Sequence, residues 1–218
     1  LGVIFLTVFV ILAGSGTSRV SYLAPAYPML LASGTVAIEK LLAGRRRLWA
    51  RSLAYALPVL FGAVLLPFAL PVLPPDTFIR YQSALGVTPR RAERSEVAEL
   101  PQQYADMFGW DEMAQKAAKA YASLSSAEKT RCVFFGQNYG EAGALDVLGP
   151  RHGIPEGRIL SGHNAYWTWG TRGLPADVVV ILGGDYEDNA EFFEQIDQVD
   201  TIRCERCMPY ERDLGVFI

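Results

Sequence analysis

The sequence predicts a membrane α-helical segment followed by a soluble α/β domain with a parallel or mixed sheet. Three observations predict this. Charge is partitioned along the chain: residues 1–73 carry a net +5 and residues 74–218 a net −8, although the whole sums to −3. Apolar runs fill about 1–16, 22–43 and 52–73. Beyond residue 110, continuous apolar strands alternate with helical periodicity, the pattern of a sheet covered on both faces. Two such compositions suit two different solvents.

The N-terminal part reads as the last transmembrane helices of a larger membrane protein. Leu1 to Ala13 has no charge, no basic flank and no initiator Met. It is shorter than the ~20 residues a span needs, so the chain is expected to start inside a longer protein, partway through a helix. Residues 22–43 follow, with Pro25 and Pro28 in the first turns, where a missing N–H costs least. Glu39 and Lys40 near the far end can snorkel to the headgroups. Arg45, Arg46, Arg47, Trp49 and Arg51 crowd the next loop, which the positive-inside rule places in the cytoplasm. Residues 52–73 contain no charge and read as the clearest span, kinked at Pro58, Pro67 and Pro71. Counting spans then puts the loop around Arg19 and residues 74–218 together outside. In a bacterium this is a multi-pass inner-membrane protein with a periplasmic C-terminal domain.

Residues 74–109 read as a juxtamembrane connector with some helix. Residues 110–218 form the α/β domain, expected as a helix at 110–123, a strand at 132–135 and a helix at 138–148. Strands at 158–161 and 177–182 follow, then a helix at 188–195 and strands at 199–204 and 214–218. The acidic balance of this part argues against nucleic-acid binding, which needs basic surface to displace counterions.

Several residues could carry chemistry. Arg19 and Tyr22 lie at the mouth of two apolar runs. A guanidinium fork beside a phenol suits a phosphate, although both residue types also serve as plain interfacial anchors. His163, Asn164, Tyr166, Trp167 and Trp169 follow a strand. Strand ends in open α/β sheets are where ligands bind, and aromatic faces with amides suit sugar rings; the alternative is loop packing. Gly136 to Gly143 follows a strand and opens a helix, but it is neither a dinucleotide fingerprint nor a P-loop. Its Glu141, with Asp146, could act as acid and base or be a surface charge. Cys204 and Cys207 could close a small disulfide, stay as free thiols, or serve metal or redox chemistry. Zinc would need two further ligands, with only His152 and His163 as histidines. Cys132 is expected to be buried in its strand. No metal site and no cofactor is identified.

Arg19-Val20-Ser21-Tyr22-Leu23-Ala24-Pro25-Ala26-Tyr27-Pro28 resembles a segment of bacterial membrane glycosyltransferases of family 39. These are relatives of the protein O-mannosyltransferases and lipid A aminoarabinose transferases within the GT-C superfamily. The family segment reads Lys-x-Tyr-Tyr-x-x-Pro-x-Tyr-Pro; here Arg19 replaces the Lys and Ser21 the first Tyr. Stretches 100–110, 135–143, 161–167 and 204–211 resemble the same family's C-terminal domain, so the resemblance covers nearly the whole chain. It implies transfer of a sugar from a polyprenyl-phosphate donor to an acceptor, of unidentified kind, on the extracytoplasmic face. By the same resemblance, Arg19 and Tyr22 hold the lipid-linked phosphate and stabilise it as leaving group. The family's catalytic Asp or Glu lies in an early outside loop, hence upstream of residue 1. The alternative is a membrane-anchored, non-catalytic α/β domain that binds glycan, acceptor or a partner protein.

Overall fold

The structure, a computed structural model, describes residues 2–15, 20–44, 48–89 and 96–218. It separates into two compact units, Leu1–Leu100 and Pro101–Ile218. In the first unit, α1 (Gly2–Ser15) precedes a 3-10 stretch at Val20–Ala26, then α2 (Tyr27–Leu41), α3 (Leu48–Ala69) and α4 (Pro75–Ala84). The expected helix at 22–43 thus opens as a 3-10 turn and becomes α-helical only at Tyr27. Pro25 and Pro28 explain this, because each removes a donor that a regular α-helix would use. The helix expected at 52–73 starts four residues earlier and ends at Ala69. Pro71 is the reason: continued helix would drive its ring into the carbonyl of Pro67, four residues back.

Among the described residues, α3 is the one helix long and apolar enough to cross a membrane, with a mean hydropathy of 1.9. Its apolar side chains face outward; Val59 is 73 % and Phe61 67 % exposed. No residue of α1 is buried. Covering each such side chain is worth roughly 1.5–3 kcal/mol, so these surfaces call for an apolar surrounding. At the C-terminal end of α3, Phe68 meets Phe78 of α4 edge-on at 5.3 Å. The Tyr81 hydroxyl donates to the Val64 carbonyl at 2.6 Å, and the Gln82 amide donates to the Glu99 carbonyl at 2.9 Å.

The second unit contains α5 (Gln102–Ala105), α6 (Trp110–Ser123), α7 (Ser126–Arg131), β1 (Cys132–Gly136) and α8 (Tyr139–Leu148). Then come β2 (Ile159–Leu160), α9 (Ala165–Trp169), β3 (Val178–Leu182), α10 (Tyr186–Ala190), β4 (Gln198–Ile202) and β5 (Leu214–Phe217). The five strands form one sheet in the order β2-β1-β3-β5-β4. β1 pairs in parallel with β2 and β3, while β5 runs antiparallel to β3 and β4, so the sheet is mixed.

Alternation along the strands divides the side chains between two faces. Cys132 and Phe134 of β1, with Val180 and Leu182 of β3, point into one core. There they meet Met113, Ala114 and Ala117 of α6 and Ala142 and Leu145 of α8. Alanines at helical spacing let α6 lie close to its neighbours. Helix α7 starts with a capping box, in which the Ser125 hydroxyl accepts from the Glu128 N–H and the Glu128 carboxylate accepts from the Ser125 N–H. On the other face Ile181, Ile196 and Phe217 form a smaller cluster with Phe135 and Val179.

That second face corrects the expectation of a sheet covered on both sides. The long helices α6 and α8 cover only the first face. The elements beside the second face are the five-residue helices α9 and α10, which leave an open apolar cleft of about 740 Å³. The helix expected at 188–195 stops at Ala190, and the strand expected at 158–161 pairs only over Ile159 and Leu160. Residues 101–109 belong to this unit, with Tyr104 and Ala105 buried.

Helix α8 passes close over the end of β1. A Cβ on Gly136 would lie 2.7 Å from the Ala142 backbone nitrogen and 2.9 Å from Glu141 Cβ. Gly136→Ala is therefore expected to destabilise the protein by about 1–3 kcal/mol. Thermal unfolding followed by near-ultraviolet circular dichroism checks this; an unchanged midpoint would show that α8 sits farther from β1.

Candidate functional site

The chain leaves β1 for β2 on one side and returns from β2 to β3 on the other. This reversal opens a crevice at the carboxyl ends of β1 and β3, the place where open α/β sheets bind ligands. Three turns meet there: Gln137-Asn138 after β1, Ser161 to Asn164 after β2, and Gly183-Gly184-Asp185 after β3. Gly184 has φ +73°, and a Cβ there would lie 2.6 Å from Gln137 Nε2. A glycine is required at this position both for backbone conformation and for the approach of the amide.

Asn138 organises the β1 turn. Its side-chain oxygen accepts from the backbone N–H groups of Gly140 at 2.7 Å and Glu141 at 3.0 Å, capping α8. Its side-chain nitrogen donates to Glu141 Oε1 at 2.9 Å and to Glu211 Oε1 at 3.1 Å. Two donors and two acceptor positions are all that an amide has. Glu141 Oε2 also accepts from the Gln137 backbone N–H at 2.5 Å.

The two carboxyls are buried, Glu141 at 2 % and Glu211 at 6 % exposure. Glu211 Oε2 has no hydrogen-bond partner. Burial, reinforced by the neighbouring Glu211, pushes the Glu141 carboxyl up to about 8. Burial also pushes Glu211 up to about 7, with the Asp106 charge adding to it and the Asn138 bond opposing. Burial therefore favours the protonated form of both carboxyls toward neutral pH. Of the two readings open for Glu141, the surface charge is excluded by its burial. Asp146, the other acid considered, accepts from the Tyr166 hydroxyl at 2.6 Å.

That bond fixes α9, which carries the aromatic stretch. Tyr166 and Trp169 meet edge-on at 4.9 Å, and the Arg172 guanidinium lies 5.0 Å from the Trp169 ring centre. The His163 ring lies 5.1 Å from Tyr139. Asn164, with φ +54°, makes the turn into α9. Trp167 is 72 % exposed and lines the apolar cleft. The structure thus brings His163, Asn164, Tyr166, Trp167 and Trp169 to the strand-end side of the sheet, with Trp167 facing the cleft.

Arg19 lies outside the described residues. Tyr22 is exposed and lines a groove of about 190 Å³ with Ile4, Phe5, Val8 and Leu23. Cys204 and Cys207 form a disulfide, and Cys132 is buried and free in β1. Gly109, at φ +88°, admits this disulfide, since a Cβ there would come within 2.7 Å of Cys207 Sγ. His152 pairs with Asp111 at 2.9 Å. Among the described residues no group of three or more His, Cys, Asp or Glu could hold a metal ion.

Two structural features escaped sequence reasoning: the Glu141–Glu211 pair and the hub role of Asn138. The Asn138 cap had a local signal, an Asn one residue before a helix with an acid three positions on. Pairing across 70 residues of sequence had none.

The raised carboxyls make stability depend on pH with a definite sign. A folded state that keeps its protons more tightly than the unfolded chain is fully stabilised below the ordinary carboxyl value of 4.5 and loses that stability as pH rises toward about 8. Denaturant unfolding between pH 5 and pH 8 should show this decline. In Glu211→Gln the decline should be shallower, because one member of the pair no longer titrates; an equal slope would place the pair's protons elsewhere. No family model, no curated protein and no solved structure matches this chain.

Proposed function

We propose that the chain is the C-terminal portion of a membrane glycosyltransferase that moves a sugar from a polyprenyl-phosphate donor to an acceptor on the extracytoplasmic face. The observation that carries this reading is the apolar surface of the first unit, exposed on α1 and α3 and grooved beside Tyr22. A bilayer would cover those helices, and the groove offers prenyl units an apolar wall beneath a phenol. Arg19 and Tyr22 would then hydrogen-bond the phosphate. In the reaction an acceptor oxygen attacks the sugar's anomeric carbon, the bond to phosphate oxygen breaks, and polyprenyl phosphate leaves. The acceptor's proton passes to a carboxylate base, the Asp or Glu that the resemblance places upstream of residue 1. The resemblance of the segment from Arg19 to Pro28 to family 39 enzymes supports the same assignment.

Within this reading the α/β unit binds rather than reacts. Its most perturbed acids, Glu141 and Glu211, are buried, whereas its exposed aromatic and amide groups lie at the strand ends. His163, Asn164 and Trp167 would meet the acceptor or its glycan. The same observation favours the second reading, a membrane-anchored binding domain without catalysis.

Transfer from radiolabelled polyprenyl-phosphate sugars by the full-length protein in detergent separates the two. Arg19→Ala should cut transfer by roughly ten- to a hundredfold, the worth of a charge-assisted hydrogen bond. Glycan binding without transfer from any donor, or full transfer by the Arg19→Ala variant, would remove the donor-site assignment.

A further inference from the structure

The cleft on the second face of the sheet has a chemistry of its own. Its floor is Val133 and Phe135 of β1 beside Val179 and Ile181 of β3. Trp167 and Phe192 stand at its sides; Phe192 is 80 % exposed. No Asp, Glu, Lys, Arg or His lines it. At about 740 Å³ it falls within the ~300–1,000 Å³ range of small-molecule sites. The floor runs along the strands from Val133 to Gln137, about 13 Å at the rise of a strand.

A cluster of hydrogen-bonding groups gathers at one end, where the strands finish, and Thr171 adds one more polar side chain to the lining. There the Gln137 amide donates to Asn189 Oδ1 at 3.3 Å, and Asn189 donates to the Gly183 carbonyl at 3.2 Å. Ser161 Oγ accepts from the His163 N–H at 3.3 Å, which leaves its hydroxyl proton to donate. The nearby Arg172 guanidinium is placed over Trp169 instead.

We propose that this cleft holds the acyl chain of a lipid whose first polar group is uncharged, such as an ester carbonyl or a hydroxyl. A long apolar floor with hydrogen-bonding groups at one end matches one extended chain and one neutral head. A phosphate directly beside the chain would find no cation in the lining. A flat bilayer surface would not enter a concave groove. The inference rests on the membrane reading for its supply of lipid, and it is independent of sugar transfer.

The test uses the full-length protein in phosphatidylcholine nanodiscs with a monopalmitoylglycerol carrying a diazirine in its chain, followed by peptide mapping. Adducts should form on β1 and β3 at Val133, Phe135, Val179 or Ile181, saturate with dose, and be displaced by unmodified monopalmitoylglycerol. Val179→Trp fills the floor and should lower that labelling about tenfold, the loss of burying roughly two methylenes. Phe192→Asp should lower it too, and its exposed position leaves folding intact. Adducts on α3 but not on β1 or β3 would overturn this inference while sparing the membrane reading. Adducts on neither would overturn both. Labelling confined to Trp167 and Phe192 that does not saturate would mean rim contact with the bilayer, and would also overturn it.

Discussion

One side-chain amide ties the α/β unit together. Asn138 stops β1, starts α8 and bonds a residue close to the end of the chain, using every hydrogen-bonding position it has. Few residues can do this. Asp would cap the helix but would place a negative charge against two buried carboxyls and lose both donors to them. Ser would cap it but reach neither carboxyl. The turn after β1 is therefore determined by one residue acting locally on the helix and remotely on Glu211.

The C-terminal loop is held at several further points. The Cys204–Cys207 disulfide closes its first turn. The Tyr210 hydroxyl donates to Asp106 Oδ1 at 3.1 Å and receives the Gln102 amide at 3.2 Å, and Arg212 Nε donates to the Cys207 carbonyl at 3.0 Å. These contacts bring Glu211 to Asn138 and keep water from the pair. The resulting pair of buried carboxyls lies inside the fold. The apolar cleft lies along the face of the sheet that the long helices leave open. Both features come from the same topology, because the chain reverses direction across β1 and leaves one face to short connections.

Much of this was legible in the sequence, and the exceptions have physical causes. Trp110–Ser123, Cys132–Gly136 and Val178–Leu182 followed from periodicity and apolar runs, since each buries a full face. The charge partition changes at residues 73–74, whereas the structure divides between Leu100 and Pro101. Periodicity cannot report whether a strand's second face is covered, because Val133 and Phe135 are apolar in either case. The aromatic stretch at 163–169 follows β2, but a five-residue helix is too short for a helical repeat to show. Glu141 stayed open between acid–base group and surface charge because its partner, Glu211, is distant in sequence. Arg19, on which the donor reading leans most, lies outside the described residues, so its part rests on the segment's resemblance and on Tyr22 nearby.

In the proposed arrangement, two halves of one chain occupy two solvents, with the α/β unit outside the cell membrane. Single-cysteine topology mapping in intact cells tests this most directly, using a membrane-impermeant thiol reagent on Phe192→Cys and Gly44→Cys of the full-length protein. The native thiols should contribute little, being buried at Cys132 and disulfide-bonded at Cys204 and Cys207. Phe192→Cys should be labelled in intact cells, and Gly44→Cys only after the membrane is opened. Labelling of Gly44→Cys alone in intact cells, or recovery of the protein in the soluble fraction, would contradict it.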